Sequence, residues 1–484
     1  MEGDVVILGS GFGGSLLGWI LAADGGRAVV VDRDRHPRFA IGESSTPVAD
    51  LLLADLARRH RLPALLPLSR WGSWQEAYPD IGCGKKRGFS YFHHRPGEPF
   101  RDTPDHAASL LVAASATDAG SDTHWLRADV DAFLFRQGVE AGMTGIEGAE
   151  VTGIDRDGSG WRVGIRHDSG AAETLAAPFL VDATGGGGAL ARALGLPRDD
   201  DRLRTRTGAL YTHLRGVGSF DRLQEEAGNL STTAPFRSDD AAQHHVFDDG
   251  WAWMLRFRDD LCSVGFVRPS ARWEGCVDPA AAWEALVGRC PSVAALLRGA
   301  RPVREPALLP RLSRLWGRAA GPGWAMLPTT AGFVDPLHSS GIAHGLSGVA
   351  RLAGLLLAPR HDAAAWEAYG RAVHDEVVWI DRLVSACYRV LPDFDRFRLA
   401  ATLFFLATVR FERMLGAGMD CAASGFLAAR DAPLRAALEA AADEVERGDA
   451  AALAGLRGRL APFDPVGLLD PAARHRFAHT AVDK

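Results

Sequence analysis

The 484-residue sequence predicts an α/β fold: a Rossmann-like nucleotide-binding unit, an antiparallel sheet inserted into it and a helical cap at the C-terminus. Three observations carry that prediction. An apolar strand at the N-terminus runs into a glycine turn and a helix. Short strands separated by turn residues fill the middle of the chain. From about residue 360 onward, Ala, Leu, Arg and Glu recur at helical spacing.

Val5-Val6-Ile7-Leu8 is a continuous apolar run, as a buried parallel strand requires. It leads into Gly9-Ser10-Gly11-Phe12-Gly13-Gly14, which supplies GxGxxG through Gly9, Gly11 and Gly14. A helical segment over 15–23 and a second strand over 28–31 follow, the strand ending on Asp32. Such glycines permit a tight turn and close approach to a pyrophosphate, whose charge sits on the helix N-terminus. The carboxylate of Asp32 then accepts ribose hydroxyls.

Thr123-His124-Trp125-Leu126-Arg127 precedes an amphipathic helix over 128–141. Residues 151–166 read as a hairpin with Asp157-Gly158-Ser159-Gly160 as its turn. Phe179 to Gly185 reads as a strand ending in a small turn. Gly332-Phe333-Val334-Asp335-Pro336 is a further strand end, followed by Leu337-His338-Ser339-Ser340-Gly341-Ile342 and an apolar helix. Asp335 is placed to bind ribityl hydroxyls, and the helix start to present N–H groups to a flavin ring or an anion. That order favours FAD over NAD, and no second GxGxxG follows a strand, so no built-in NAD(P)H site is predicted.

Residues 244–247, 251–257 and 261–267 form a three-stranded meander, with Trp251, Trp253 and Leu255 on one face of the middle strand. That face suits the wall of an apolar substrate pocket. Helices over 431–447 and 449–460 are separated by Gly448. The expected organisation is 1–190 and 316–358 for the FAD-binding domain, 191–315 for the antiparallel sheet and 359–484 for the helical cap, read as packing against the body.

Composition narrows the function. Lys+Arg number 54 against 60 Asp+Glu, a formal net charge of -6, which leaves no footprint for nucleic acid. The apolar stretch over 399–409 is too short to span a bilayer, and the opening Met-Glu-Gly-Asp predicts no cleavable signal peptide. Six cysteines without a CxxC pair predict a reduced, cytoplasmic protein. His93-His94 and His244-His245 lie on predicted strands, where neighbours face opposite ways, so no metal site is expected.

Only three of the 54 basic residues are lysines: Lys85, Lys86 and the terminal Lys484. A chain that uses Arg almost everywhere has kept an adjacent Lys pair in Gly84-Lys85-Lys86-Arg87-Gly88. Either the pair sits in a solvated turn, or the site needs a primary amine that Arg cannot replace.

Four segments together resemble the flavin-dependent halogenases, within the p-hydroxybenzoate-hydroxylase-like FAD enzymes. They are the N-terminal GxGxxG, Gly42-Glu43-Ser44-Ser45-Thr46-Pro47, Lys86-Arg87-Gly88-Phe89-Ser90-Tyr91 and Asp335-Pro336-Leu337-His338-Ser339-Ser340-Gly341. The resemblance implies that FADH2 and O2 give a flavin hydroperoxide, that halide attacks it, and that Lys86 guides the hypohalous acid to an electron-rich aromatic substrate. It further implies cofactor contacts from Glu43, Ser44, Arg127, Gly341 and Ile342, and halide at the backbone of Ser340 and Gly341. A separate flavin reductase would supply FADH2, and the substrate would arrive free or on a carrier protein. Trp251-Ala252-Trp253-Met254-Leu255-Arg256 departs from the family's Trp-x-Trp-x-Ile-Pro strand, with Arg256 in place of Pro. His338 stands where tryptophan halogenases carry Glu, which argues against free tryptophan, and its role is structural or catalytic. Two other readings remain: a flavin monooxygenase acting directly on substrate, and a catalytically silent FAD-binding partner.

Overall fold

The computed structural model describes residues 1–158, 160–229, 234–359 and 362–482. Strands β1 (Val5–Leu8) and β2 (Ala28–Asp32) flank helix α1 (Phe12–Ala23), and α2 spans Pro47–Arg59. Next come β3 (Cys83–Lys86), β4 (Gly88–His93), β5 (Ser109–Ala113), β6 (Asp122–Trp125) and α3 (Arg127–Glu140). Strands β7 (Thr144–Glu147), β8 (Ala149–Asp157), β9 (Gly160–His167), β10 (Ala172–Ala177) and β11 (Phe179–Asp182) complete the first part of the chain.

The nucleotide-binding sheet has six strands: Ala320–Gly321, Trp324–Met326, β11, β1, β2 and β7. The last five run parallel, and β1 and β11 are buried throughout, as their uninterrupted apolar sequences demand. The expected hairpin forms as β8 and β9, and β10 adds a third strand to it. Ser159 of its turn lies outside the described residues.

The second sheet is larger than the middle of the sequence suggested. The meander forms as β13 (Ala242–Phe247), β14 (Gly250–Arg256) and β15 (Leu261–Pro269), with β12 (Thr207–Arg215) beyond it. On the other side, β4 pairs in parallel with β13 and β5 pairs with β4, so 88–113 belongs to this sheet rather than to the nucleotide-binding one. The strand Arg476–Phe477 then covers β5. The reason is edge coverage: β13 would otherwise present a row of unpaired backbone groups.

Alternation along these strands separates two cores. Tyr91, Trp251, Trp253 and Leu255 face the main core shared with the nucleotide-binding unit. Phe92, Ala252 and Met254 face a smaller core behind the sheet. Helices α4 (Ser340–Leu356), α5 (Ala363–Arg389) and α6 (Phe394–Gly416) close over the main core. The expected pair over 432–447 and 450–460 follows, each opened by an aspartate cap and divided by Gly448 at φ 75°. The apolar 399–409 stretch lies inside α6, and no helix among the described residues is long and apolar enough to cross a membrane.

Candidate active site

The glycine turn is built for an anion. Gly9 has φ +99°, and a Cβ on Gly14 would stand 2.0 Å from the Gly9 carbonyl oxygen, so that position excludes a side chain. A Cβ on Gly11 would instead lie 3.6 Å from a guanidinium nitrogen of Arg127 and 3.9 Å from one of Arg38. Two guanidinium–carboxylate pairs, Arg127–Asp131 and Arg38–Asp32, thus flank the turn at the N-terminus of α1. Asp32 accepts the Ser10 N–H at 2.7 Å, the Ser10 hydroxyl at 2.8 Å and an Arg38 N–H at 3.0 Å. Burial pushes its carboxyl up, but Arg38 and these donors outweigh that and hold it below the usual carboxylate range.

Arg127 lies just before this turn in space. It forks onto Asp131 at 2.8 Å and reaches the carbonyls of Ile41 and Gly42 at 3.0 Å, so it pins the 41–44 segment beside the glycine turn. In that segment Glu43 Oε1 meets His213 Nε2 at 2.8 Å, while Glu43 Oε2 and the Ser44 hydroxyl are buried with no protein partner among the described residues. A tight glycine cradle, two flanking guanidinia and two unmet polar atoms fit a bound dinucleotide such as FAD.

The lysine pair is split by the strand it sits on. Lys85 and Lys86 are neighbours on β3, which pairs antiparallel with β6, so their side chains leave opposite faces. Lys85 points outward to Asp118 at 2.6 Å and Asp240 at 3.0 Å. Lys86 points inward and is wholly buried. Its ammonium donates to the Ser45 carbonyl and lies 4.0 Å from the centre of the Phe89 ring. The Ser45 hydroxyl in turn donates to Asp50 at 3.2 Å.

Phe89 also lines a cavity, although Lys86 itself is not among the lining residues. Phe89, Thr46, His338, Ser340, Phe404 and Glu412 are among the residues that line it. His338 stacks on Phe404 at 4.3 Å between ring centroids, and its Nδ1 lies 2.9 Å from the Tyr91 hydroxyl. Burial, with a smaller contribution from His244, holds His338 well below the usual imidazole range, so it is neutral. His244 stacks on Tyr91 at 4.3 Å and donates from Nδ1 to the Ser90 carbonyl at 3.1 Å. Tyr91, His244, Phe404 and Glu412 were missed in the sequence. Phe404 and Glu412 come from α6, so the helical cap lines the cavity as well as packing against the body.

Several expected residues lie elsewhere or serve differently. Trp251 and Trp253 share a face as read, yet neither lines the His338 cavity. Trp251 donates to the Tyr388 hydroxyl at 2.7 Å and Trp253 to the Ser263 hydroxyl at 3.0 Å, both inside the main core. Arg256 brings no charge into the cavity: its guanidinium runs to Asp239 and the carbonyls of Val217 and Gly218. Its backbone oxygen instead abuts β3, where a Cβ on Gly84 would come within 1.8 Å of it. Asp335, read as a ribityl contact, turns its carboxylate inward to Thr207, Tyr388 and the Leu337 N–H. Ser340 and Gly341 open α4 and share a second small cavity with Asp335 and His344, while Ile342 is packed into the main core.

The histidine pairs also divide as expected, and one member of each meets behind the sheet. Cys290 Sγ lies 3.0 Å from His94 Nδ1, His94 Nε2 lies 2.8 Å from His245 Nδ1, and His245 Nε2 lies 3.1 Å from Gln243 Oε1. Burial holds both rings far below the usual imidazole range, His94 at about 3. Among the described residues no group of three or more His, Cys, Asp or Glu is placed to hold a metal ion.

The sequence profile of the tryptophan halogenase family matches residues 120–396. The chain is 32% identical to tetracycline 7-halogenase of Kitasatospora aureofaciens over 397 residues, covering 79% of this chain and 69% of that protein. It is 28% identical to monodechloroaminopyrrolnitrin halogenase PrnC of Pseudomonas fluorescens, covering 81% and 68%. Its structure superposes on halogenase PltM, solved in complex with phloroglucinol and FAD, with a TM-score of 0.86 at 25% identity, over 98% of this chain and 99% of that one. These relatives favour halogenation over direct oxygenation or a silent flavoprotein on the same fold. With a dinucleotide cradle and a buried lysine packed on a ring that lines an aromatic cavity, the chain belongs to the flavin-dependent halogenase family, enzymes that use FAD.

Proposed function

We propose that this enzyme halogenates a phenolic or similarly electron-rich arene, with Lys86 as the residue that holds the oxidised halogen beside it. The observation that carries the reading is the position of Lys86: buried, inward on β3, and against Phe89, which also lines the aromatic cavity. Bound reduced FAD supplies the electrons that activate O2 for oxidation of halide. The chain's own residues do the rest. The N–H groups that open α4 at Ser340 and Gly341 lack intrahelical acceptors and offer a halide site at the positive end of the helix. Lys86 donates a hydrogen bond to the oxidised halogen, so that it meets the arene instead of diffusing into the core. Phe404, Phe405 and Phe89 hold the ring and keep water from it.

Neutral His338, whose Nδ1 meets the Tyr91 hydroxyl and whose Nε2 faces the Cys387 thiol, gives the cavity an aromatic face without a fixed charge, and Glu412 with Thr408 on α6 supplies acceptors for a substrate hydroxyl or N–H. An arene activated by its own oxygen or nitrogen needs no more than that. Gly9, Gly11, Gly14, Asp32, Glu43, Ser44 and Arg127 would hold the FAD, and a separate reductase would deliver it reduced.

The test is single-turnover oxidation of the photoreduced enzyme with and without bromide, in the presence of monochlorodimedone. Bromination of the trap that requires both bromide and Lys86 supports the reading. Oxygen consumption that gives only hydrogen peroxide in bromide, or oxygenated trap, overturns it. A panel of phenols, supplied free and loaded on a carrier protein, then ranks the substrate form.

A further inference from the structure

We propose that Tyr388 is a positioning residue for the turn that opens α4, acting through Asp335 and Trp251 at once. The inference rests on the reading of Ser340 and Gly341 as the halide site. Tyr388 comes from α5, in the part of the chain expected only to cover the body. Its hydroxyl accepts from Trp251 Nε1 at 2.7 Å and donates to Asp335 Oδ2 at 2.9 Å. The same carboxylate oxygen accepts from the Thr207 hydroxyl at 2.6 Å, and Oδ1 takes the Leu337 N–H at 3.0 Å.

From Leu337 the chain has little freedom before the helix. The Ser339 N–H donates to the Pro336 carbonyl at 3.0 Å, Ser339 sits at φ 55°, and Ser340 is the first helical residue. The orientation of Asp335 therefore sets where Ser340 and Gly341 aim their N–H groups. The contacts also close on themselves. His338, inside the turn, bonds Tyr91; Tyr91 stacks on His244; His244 packs against Trp251 at 5.1 Å; Trp251 bonds Tyr388. Tyr388 is the link where this ring passes from the sheet back to Asp335, and one hydroxyl makes both bonds.

Tyr388→Phe keeps the ring and removes that hydroxyl, leaving the Trp251 N–H without its acceptor and Asp335 with one donor fewer. The flavin-loaded enzyme is compared with the variant in two ways: hydrogen exchange of peptides spanning 335–345, and bromide KM alongside arene KM. We expect exchange in 335–345 to quicken several-fold with α5 unchanged. Bromide KM should rise roughly tenfold, the size of one hydrogen bond to a charged group, while arene KM stays within about twofold. Thr207→Val, which removes the other side-chain donor to the same oxygen, should move both readings in the same direction, and it decides the matter if the Phe variant fails to fold. Unchanged exchange and bromide KM in the folded variants would overturn the proposal. So would quickened exchange throughout α5 with bromide KM unmoved, which is the signature of lost packing alone. If the wild type shows no bromide-dependent turnover, the halide reading has failed instead, and the exchange comparison still decides whether Tyr388 positions the turn.

Discussion

Replacing Lys86 with Met separates its chemistry from its place in the fold. Met keeps the length of the side chain and loses the charge. Removing the charge leaves the Ser45 carbonyl without this donor, about 1–3 kcal/mol, and forfeits the cation–π contact with Phe89, about 2 kcal/mol for a desolvated pair. Against that, a wholly buried ammonium no longer has to be taken out of water, an effective gain of several kcal/mol. The terms oppose in sign, so the melting temperature and flavin content of the variant are measured alongside its activity, and the comparison is made on the folded, flavin-loaded fraction. Halogenation should fall by about 10²–10⁴, the range for loss of a positioned proton-donating group. Oxygen consumption should continue, with the reducing equivalents appearing as hydrogen peroxide. Lys85→Ala is the matched control: it removes only the outward ion pairs with Asp118 and Asp240 and should retain activity within about twofold. The assay is bromination of monochlorodimedone and peroxide release measured on the same samples. Trap bromination within tenfold of wild type in a folded, flavin-loaded Lys86→Met variant would refute the role.

Three further outcomes follow from the packing. Gly14→Ala places a Cβ 2.0 Å from the Gly9 oxygen, so the purified variant should lose the flavin absorbance of the wild type. Burial pushes the Asp335 carboxyl up to about 6, against donation from Thr207, Tyr388 and the Leu337 N–H. Its folded value lies above its unfolded one, so its contribution to stability is full below about pH 4 and is lost as pH rises through 6. Denaturant unfolding at pH 4 and pH 7 should show Asp335→Asn gaining about 2 kcal/mol on wild type across that interval, and a constant difference would exclude the shift. Glu376 has the opposite sign: burial would raise it, but Arg351 and His344 bring it down to about 2, so its contribution is present above about pH 4.5 and is lost as pH falls toward 2. Glu376→Ala leaves buried Arg351 uncompensated and should cost about 3–5 kcal/mol in the same titration at pH 7.

What the sequence showed well was local. The glycine turn between β1 and α1, the meander of β13 to β15 and the Asp449 cap after Gly448 each depend on a few adjacent residues, and each is found where those residues stand. Lys86 was legible for a different reason, because a lysine is conspicuous in an arginine-rich chain. Contacts between distant segments were hidden. Nothing near Gly88 states that β4 will pair with β13, about 150 residues away, since the pairing answers to an edge the sequence does not display. The same holds for Trp251: its place on a strand face was correct, but its indole was committed to Tyr388, 137 residues on, and so could not be read as a pocket wall. Asp335 looked like a ligand because it stands at a strand end; its three partners come from β12, α5 and its own turn, and only one of them is local.

The proposed site is built from a sheet on one side and a helix on the other. Lys86 and Phe89 lie on β3 and β4, and the His338 turn is tied to the sheet through Tyr91 and Thr207; these parts are fixed by strand pairing on one side and by a ring of side-chain bonds on the other. Moving any of them would disturb backbone hydrogen bonds of the sheet. The opposite wall is one face of α6, where Phe404, Phe405, Thr408, Val409 and Glu412 follow helical spacing. A helix makes its backbone bonds within itself, so these side chains can change shape and polarity without touching the register of the sheet that holds the lysine. On the proposed reading, chemistry sits in the part of the fold least free to vary, and substrate choice in the part most free to. The chain region to which that reading assigns the choice is the one whose composition, rich in Ala, Leu and Arg, most resembles an ordinary packing helix.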